Sequence, residues 1–294
     1  MPDRVAFLGL GKMGLPMAKL LNAEVFDTIG FDLSPKASAE FKASGGKIAN
    51  SPRATMKGAS IVITMLPDGA IVRSVLEDGD NGQALPDSGA LVIDMSSSEP
   101  LGTQELHARF SKSGIGMIDA PVSGGVSRAQ TGTLSIMVGG DEENIRRAAP
   151  ILSTFGTIKR TGKIGSGHAA KCLNNYVSAA GLFAACQALI AGQEYGLDPA
   201  VMIEILNSST GQNFATSNKL QQQILSSRFE SGFAMSLMAK DLKTASNLAD
   251  ALGLKNIHMS SDAKIWAEAS QSLGPLSDHT EIYRFLQKRK MHES

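Results

Sequence analysis

Val5-Ala6-Phe7-Leu8 runs without a break into Gly9-Leu10-Gly11-Lys12-Met13-Gly14, and helical spacing follows through about Asn22. A short continuous apolar run suits a strand buried on both faces of a parallel sheet. The three glycines restrict what can come next. The first permits a tight turn, the second lets the backbone approach a diphosphate, and the third lets the helix pack against the strand. The helix N-terminus then faces the anion. A second strand, Thr28 to Phe31, ends in Asp32, 18 residues after Gly14. A carboxylate there accepts hydrogen bonds from ribose hydroxyls and repels a 2′-phosphate, which favours NAD over NADP. A P-loop is not competitive, because Gly156 to Lys163 has the wrong glycine spacing and continues with Ile164.

The alternation of strands and helices continues. Ser60 to Leu66 reads as a strand ending at Pro67-Asp68-Gly69, with a helix to about Glu77. Ala90 to Asp94 is another strand, followed by Met95-Ser96-Ser97-Ser98 and a helix from Glu99. Ligands of open α/β sheets lie outside the carboxyl ends of the strands, which puts Leu66, Pro67, Ser96 and Ser97 beside the cofactor. A further strand ends in Asp119-Ala120-Pro121-Val122-Ser123-Gly124-Gly125. That turn offers a hydroxyl and bare backbone N–H groups, suited to a carboxylate or phosphate. It is not a nucleophile elbow, since Pro121 stands where G-x-S-x-G needs glycine. Leu134 to Gly140 gives a last strand and Glu142 to about Thr154 a closing helix.

Everything after Gly165-Ser166-Gly167 reads as helical. A long, small-residue, apolar helix is predicted over about 167–195, at the junction of a nucleotide-binding domain (1–163) and an all-α domain (164–294). Residues three and four apart share a helix face, so Lys171, Asn174 and Asn175 project together. Val201 to Asn207, Lys219 to Leu225, Met238 to Leu252 and Asp262 to Ser270 carry further helical spacing, and Lys240-Asp241-Leu242 is read as the start of a helix. His168 lies one turn from Lys171, where it could tune the lysine, but is expected to be an exposed histidine at a helix start. The five histidines show no metal-ligand spacing.

Composition narrows the function classes. Lys plus Arg and Asp plus Glu both total 28, which leaves no global field for nucleic acid or an acidic membrane. Lys288-Arg289-Lys290 is read as a solvated tail. Two cysteines on one helix, Cys172 and Cys186, lie about 21 Å apart at ~1.5 Å per residue, too far for a disulfide. Reduced thiols, an N-terminus without a signal-peptide pattern and no uninterrupted apolar run of ~18 residues together point to a cytoplasmic protein with no membrane partner.

The assembled motifs resemble the β-hydroxyacid dehydrogenases, the family of 3-hydroxyisobutyrate dehydrogenase and tartronate semialdehyde reductase. The resemblance rests on Gly9 to Ala18, on Asp119 to Gly125 with Gly132-Thr133-Leu134 and Met137 to Gly140, on Gly165 to Asn175, and on Lys240-Asp241-Leu242. It implies an α/β Rossmann domain with a mostly parallel doubly wound sheet, followed by an all-α domain and joined to it by the long helix. A homodimer or homotetramer acting on a small hydroxyacid is implied as well. Residue roles come with it: Lys171 as general acid/base, Ser123, Gly124, Gly125, Asn174 and Asn175 at the substrate, and Lys240 near the nicotinamide. Leu20 and Ser97 stand where the family often has asparagine and threonine.

Hydride transfer between a carbon and a nicotinamide requires a matching proton transfer at oxygen. An ordinary lysine, with a pKa of about 10.4, is mismatched to neutral pH, so burial must lower that of Lys171 toward ~7–8. Three other readings compete. A 6-phosphogluconate-type dehydrogenase has a longer C-terminal region, and imine reductases generally lack the lysine. A non-catalytic NAD-binding module would have lost it. The substituent pocket is placed only coarsely, around Ser209 to Phe214 and Phe233.

Overall fold

The computed structural model describes residues 4–24, 26–77, 86–254 and 258–292, the side chains of 290–292 excepted. The expectations for Met1 to Asp3 and for the Lys290 side chain lie outside the described residues. Two compact units divide the chain, Met1–Lys171 and Cys172–Ser294.

Among the described residues the first unit is built on nine strands: β1 (Arg4–Leu8), β2 (Asp27–Phe31), β3 (Lys47–Ile48), β4 (Ile61–Thr64), β5 (Leu91–Asp94), β6 (Gly116–Asp119), β7 (Val122–Ser123), β8 (Leu134–Gly139) and β9 (Gly156–Gly162). The order β3-β2-β1-β4-β5-β6 is parallel throughout and reverses direction at β1. β8 then pairs antiparallel with β6 and β7 and parallel with β9.

The apolar runs are continuous because both faces of the sheet are covered. Val5, Phe7, Ile61, Ile63 and Ile93 pack with Met17 and Leu21 of helix Gly14–Ala23 and with Ile151 and Phe155 of helix Glu142–Phe155. Ala6, Leu8, Val62, Val92 and Met117 point the other way, onto Val72 and Leu76 of helix Gly69–Glu77 and Leu106 and Phe110 of helix Pro100–Lys112. Period-two alternation thus feeds two cores, one on each side of the sheet.

The second unit is helical: the long helix Ser166–Tyr195 enters it, followed by Pro199–Ser208, a π-helical stretch Thr216–Leu225, Met235–Ala251, Met259–Leu273, a 3₁₀ turn His279–Glu281 and Ile282–His292. Asp198 caps its helix by accepting from Ala200 N–H and Val201 N–H, with Pro199 in the first position, as the sequence predicts. The long helix is apolar and long enough by composition to cross a membrane. Its Ala179, Leu182, Cys186 and Leu189 pack in a core with Leu220, Leu242, Trp266 and Ile282.

Three expectations are corrected. Lys240 lies inside helix Met235–Ala251, not at its start. Lys288 and Arg289 belong to a helix, not a tail; Arg289 pairs with Glu268 at 3.2 Å and covers the Phe285 ring. His168 is not exposed: only 1% of its surface is accessible.

Candidate active site

The glycine turn after β1 is shaped by close approach. Gly9 has φ +101°, and a Cβ there would collide with the carbonyl of Met65. A Cβ on Gly14 would strike the Gly9 carbonyl, so helix and turn touch backbone to backbone. Gly11 differs, for a Cβ there would enter open space. Among the described residues no atom explains that glycine; a diphosphate laid against the turn would. Lys12 is exposed and Met13 half-buried beside it.

Asp32 faces this turn. Its Oδ2 accepts from Leu10 N–H at 2.6 Å and its Oδ1 from Ser34 N–H at 2.7 Å. The carboxylate is held by two backbone donors, and each oxygen keeps acceptor capacity for a ribose hydroxyl. The geometry fits a nicotinamide dinucleotide: glycine cradle, helix N-terminus, then acid on the next strand.

Beyond β4 and β5 the loops are tied together. Leu66 N–H donates to Ser96 Oγ at 2.9 Å. Asp94, at the end of β5, accepts from Thr64 Oγ1 (2.8 Å), Ser96 N–H (3.0 Å) and Ser98 Oγ (2.6 Å). Ser96 and Ser98 therefore turn inward, and Ser97 between them stays half-buried. Ser123 is half-buried, while Gly124 (φ +138°) and Gly125 (φ +72°) are exposed. These dihedrals suit glycine alone and leave the backbone uncovered for an anion.

Asp119 ends β6 and receives the long helix. Its Oδ1 accepts from Gly165 N–H at 2.7 Å and its Oδ2 from His168 N–H at 2.8 Å. Burial holds the Asp119 carboxyl above the ordinary carboxylate range, an effect opposed by His168 and these two N–H groups. A Cβ on Gly167 would collide with the Met137 carbonyl and the Asp119 carboxylate, which accounts for the second glycine of Gly165-Ser166-Gly167. One turn on, Lys171 leaves the helix half-buried.

In the second unit, Asn175 is 7% exposed and its Nδ2 donates to Asp241 Oδ2 at 2.5 Å. Asn174 Nδ2 donates to Asn175 Oδ1 at 3.2 Å, and Lys240 Nζ pairs with Asp241 Oδ1 at 3.1 Å. Asp241 thus orients an amide and an ammonium together. The sequence shows this aspartate in a motif, but nothing in the sequence announces its partner 66 residues away. Asp94, Thr103 and the burial of His168 escape sequence reasoning for the same reason, and Asp119, though part of a sequence motif, shows its partners only in the fold. Phe233 stacks edge-on against His279 at 5.7 Å, and Phe214 is exposed with Lys219 over its ring.

The chain matches two protein families. Residues 4–172 match the NAD binding domain of 6-phosphogluconate dehydrogenase, and residues 165–286 the family described as NAD-binding of NADP-dependent 3-hydroxyisobutyrate dehydrogenase. It is 35% identical to 2-(hydroxymethyl)glutarate dehydrogenase of Eubacterium barkeri, over 82% of this chain and 81% of that one. It is 37% identical to an NAD-dependent L-serine dehydrogenase of Pseudomonas aeruginosa, over 84% and 86%. Among solved structures, 3-hydroxyisobutyrate dehydrogenase of Mycobacterium tuberculosis with L-serine superposes with a TM-score of 0.88. It is 33% identical, with 97% of this chain and 99% of that one covered.

Proposed function

The chain belongs to the β-hydroxyacid dehydrogenase family, and on that footing we propose that it interconverts a short 3-hydroxyacid and its semialdehyde or oxo acid with NAD. Hydroxyacid oxidoreduction is the activity its full-length relatives share. Their named compounds narrow the class: 2-(hydroxymethyl)glutarate, serine and 3-hydroxyisobutyrate each carry a primary alcohol one carbon from a carboxylate-bearing carbon. They differ only in the substituent on that carbon. A 2-substituted 3-hydroxypropanoate is therefore the substrate class we assign.

Bound nicotinamide supplies the hydride acceptor, or the donor in the reverse direction. The chain's own residues do the rest. The Ser123 hydroxyl and the Gly124 and Gly125 N–H groups hold the substrate carboxylate. Lys171 takes the hydroxyl proton as hydride leaves the carbon, and returns it to the oxygen in reduction. Asn174 and Asn175 orient the reacting oxygen, with Asn175 fixed in turn by Asp241. On the cofactor side, Gly9 to Gly14 carry the diphosphate, and Leu66, Pro67, Ser97 and Lys240 line the nicotinamide half. Asp32 takes the adenosine ribose.

The observation that carries NAD over NADP is the Asp32 carboxylate, pinned by two backbone donors where a 2′-phosphate would sit. We assign the protein to the cytoplasm, a reducing compartment that suits two buried cysteines outside any disulfide, Cys172 and Cys186. Exposed Val177, Tyr195, Val201 and Ile205 support assembly as a homodimer or homotetramer. The test is nicotinamide absorbance with a panel of 2-substituted 3-hydroxypropanoates and their semialdehydes, with NAD and NADP in parallel. Turnover of at least one member with NAD is expected. Silence across the panel with NADH still bound would favour a non-catalytic module.

A further inference from the structure

His168 is the third residue of the long helix and is 1% exposed, yet its ring is only half provided for. Its Nδ1 lies 2.8 Å from Thr103 Oγ1. The Thr103 hydroxyl also reaches the Glu99 carbonyl at 3.0 Å. Hydroxyl and ring nitrogen share one hydrogen bond, whose direction follows the histidine tautomer. Among the described residues Nε2 has no hydrogen-bond partner; it sits 3.7 Å from Asp94 Oδ2, while Nδ1 is 3.9 Å from Asp119 Oδ2. The imidazole is lodged beside two buried carboxylates that end neighbouring, register-matched strands.

Buried polar clusters of this kind add little stability compared with apolar packing of equal volume. What this one does is connect. Through Asp94 it reaches Thr64, Ser96 and Ser98; through Thr103, helix Pro100–Lys112; and through Asp119, the N–H groups of Gly165 and His168 itself. Lys171 is three residues further along the same helix, on the face that His168 occupies.

We propose that His168 is a positioning residue for Lys171: held by Thr103 between Asp94 and Asp119, it fixes the first turn of the helix and so the direction in which the lysine leaves it. The proposal rests on Lys171 being the proton-transfer group. His168 touches neither substrate nor cofactor in this scheme and acts only through the helix turn.

The test compares His168→Leu, His168→Asn and Thr103→Val in the full chain, with Lys171→Ala as background. Asparagine keeps a hydrogen-bonding group in the place of Nδ1, whereas leucine keeps only volume. One readout needs no substrate: the rate at which acetic anhydride acetylates Lys171, relative to exposed Lys36 in the same molecules, measured by peptide mass spectrometry. In His168→Leu and Thr103→Val this ratio is expected to rise at least about threefold, and in His168→Asn to stay near wild type. The second readout is kinetic. His168→Leu is expected to lose about 30-fold in kcat, the scale of a sub-ångström misplacement, with substrate KM and NADH affinity within about twofold. His168→Asn is expected to regain most of that. Unchanged acetylation in both His168→Leu and Thr103→Val, or loss of kcat in step with thermal stability in all three variants, overturns the proposal. Should the wild type turn over no 3-hydroxyacid, the functional reading fails, and the acetylation ratio still decides the positioning.

Discussion

Among the described residues two histidines are buried, one in each unit, and their surroundings are opposite. His279 has a partner for each nitrogen: Nε2 accepts from Lys219 Nζ at 2.8 Å, and Nδ1 reaches Ser231 Oγ at 3.0 Å and the Phe233 carbonyl at 3.1 Å. Burial first, and then the Lys219 charge, push its pKa down to about 4, so the ring is neutral. Lys219 is itself pushed down to about 8 by burial. His168, by contrast, faces two carboxylates with one nitrogen unpartnered. A fully satisfied polar cluster rigidifies its surroundings, and here it ties the segment before helix Met235–Ala251 to the turn at Asp278. A partly satisfied one tolerates cost in exchange for placement. The first reads as architecture and the second, on the proposal above, as a device that positions Lys171.

That contrast can be broken by experiment. The largest effect is expected from His279→Leu, which strands the buried Lys219 ammonium without its acceptor. A loss of roughly 3 kcal/mol in unfolding free energy is anticipated, the scale for an uncompensated buried charge, with kcat of the folded fraction within about twofold. Denaturant titration and active-site-normalised kinetics check both halves; a large kcat loss at unchanged stability would reverse the assignment of roles.

A smaller effect appears in pH dependence. With a folded pKa of about 4 against an ordinary 6.5, His279 takes up its proton later than the unfolded chain does as pH falls. Between those values the unfolded state binds more protons, so stability drops on acidification across that window. Asp278 adds to the loss at lower pH: burial acts to raise its pKa, but hydrogen bonds from Thr280 and Ser231 outweigh burial and hold it below the ordinary carboxylate value. Thermal midpoints of His279→Gln should therefore fall less steeply than wild type between about pH 6.5 and 4. Parallel curves would show that His279 is not buried neutral. The smallest effect concerns the cofactor end. Asp32→Ser should narrow the preference for NAD by about tenfold, removing the charge that repels a 2′-phosphate. Unchanged NAD to NADP ratios of kcat/KM would remove Asp32 from that role.

Most of the first unit was legible because its signals are local. Val5 to Leu8 and Ile61 to Thr64 are apolar at every position since both faces are buried, and the glycines of the β1 turn follow one backbone geometry. β9 was not legible: it buries Ile158 only partly, and Lys159 and Arg160 give it no apolar pattern. The terminal helix was missed because its apolar residues Ile282, Tyr283, Phe285 and Leu286 cluster in its first turns and the charged run from Lys288 to Lys290 follows. At the site, Lys171 and both asparagines stood out by spacing on one helix. Asp119, Asp94, Thr103 and Asp241 did not, for each acts on a partner brought near only by folding. His168 looked like a helix-start residue, and only the packing of β5, β6 and helix Pro100–Lys112 around it makes it a core one.

The central claim is that Lys171 moves the proton in a hydroxyacid oxidoreduction. Its most direct test is Lys171→Ala, assayed for turnover of whichever 3-hydroxyacid the wild type prefers and for NADH binding by fluorescence. The account expects kcat to fall by about 10³-fold, within the range of a lost general acid/base, with NADH affinity within about twofold. Turnover close to wild type would contradict it.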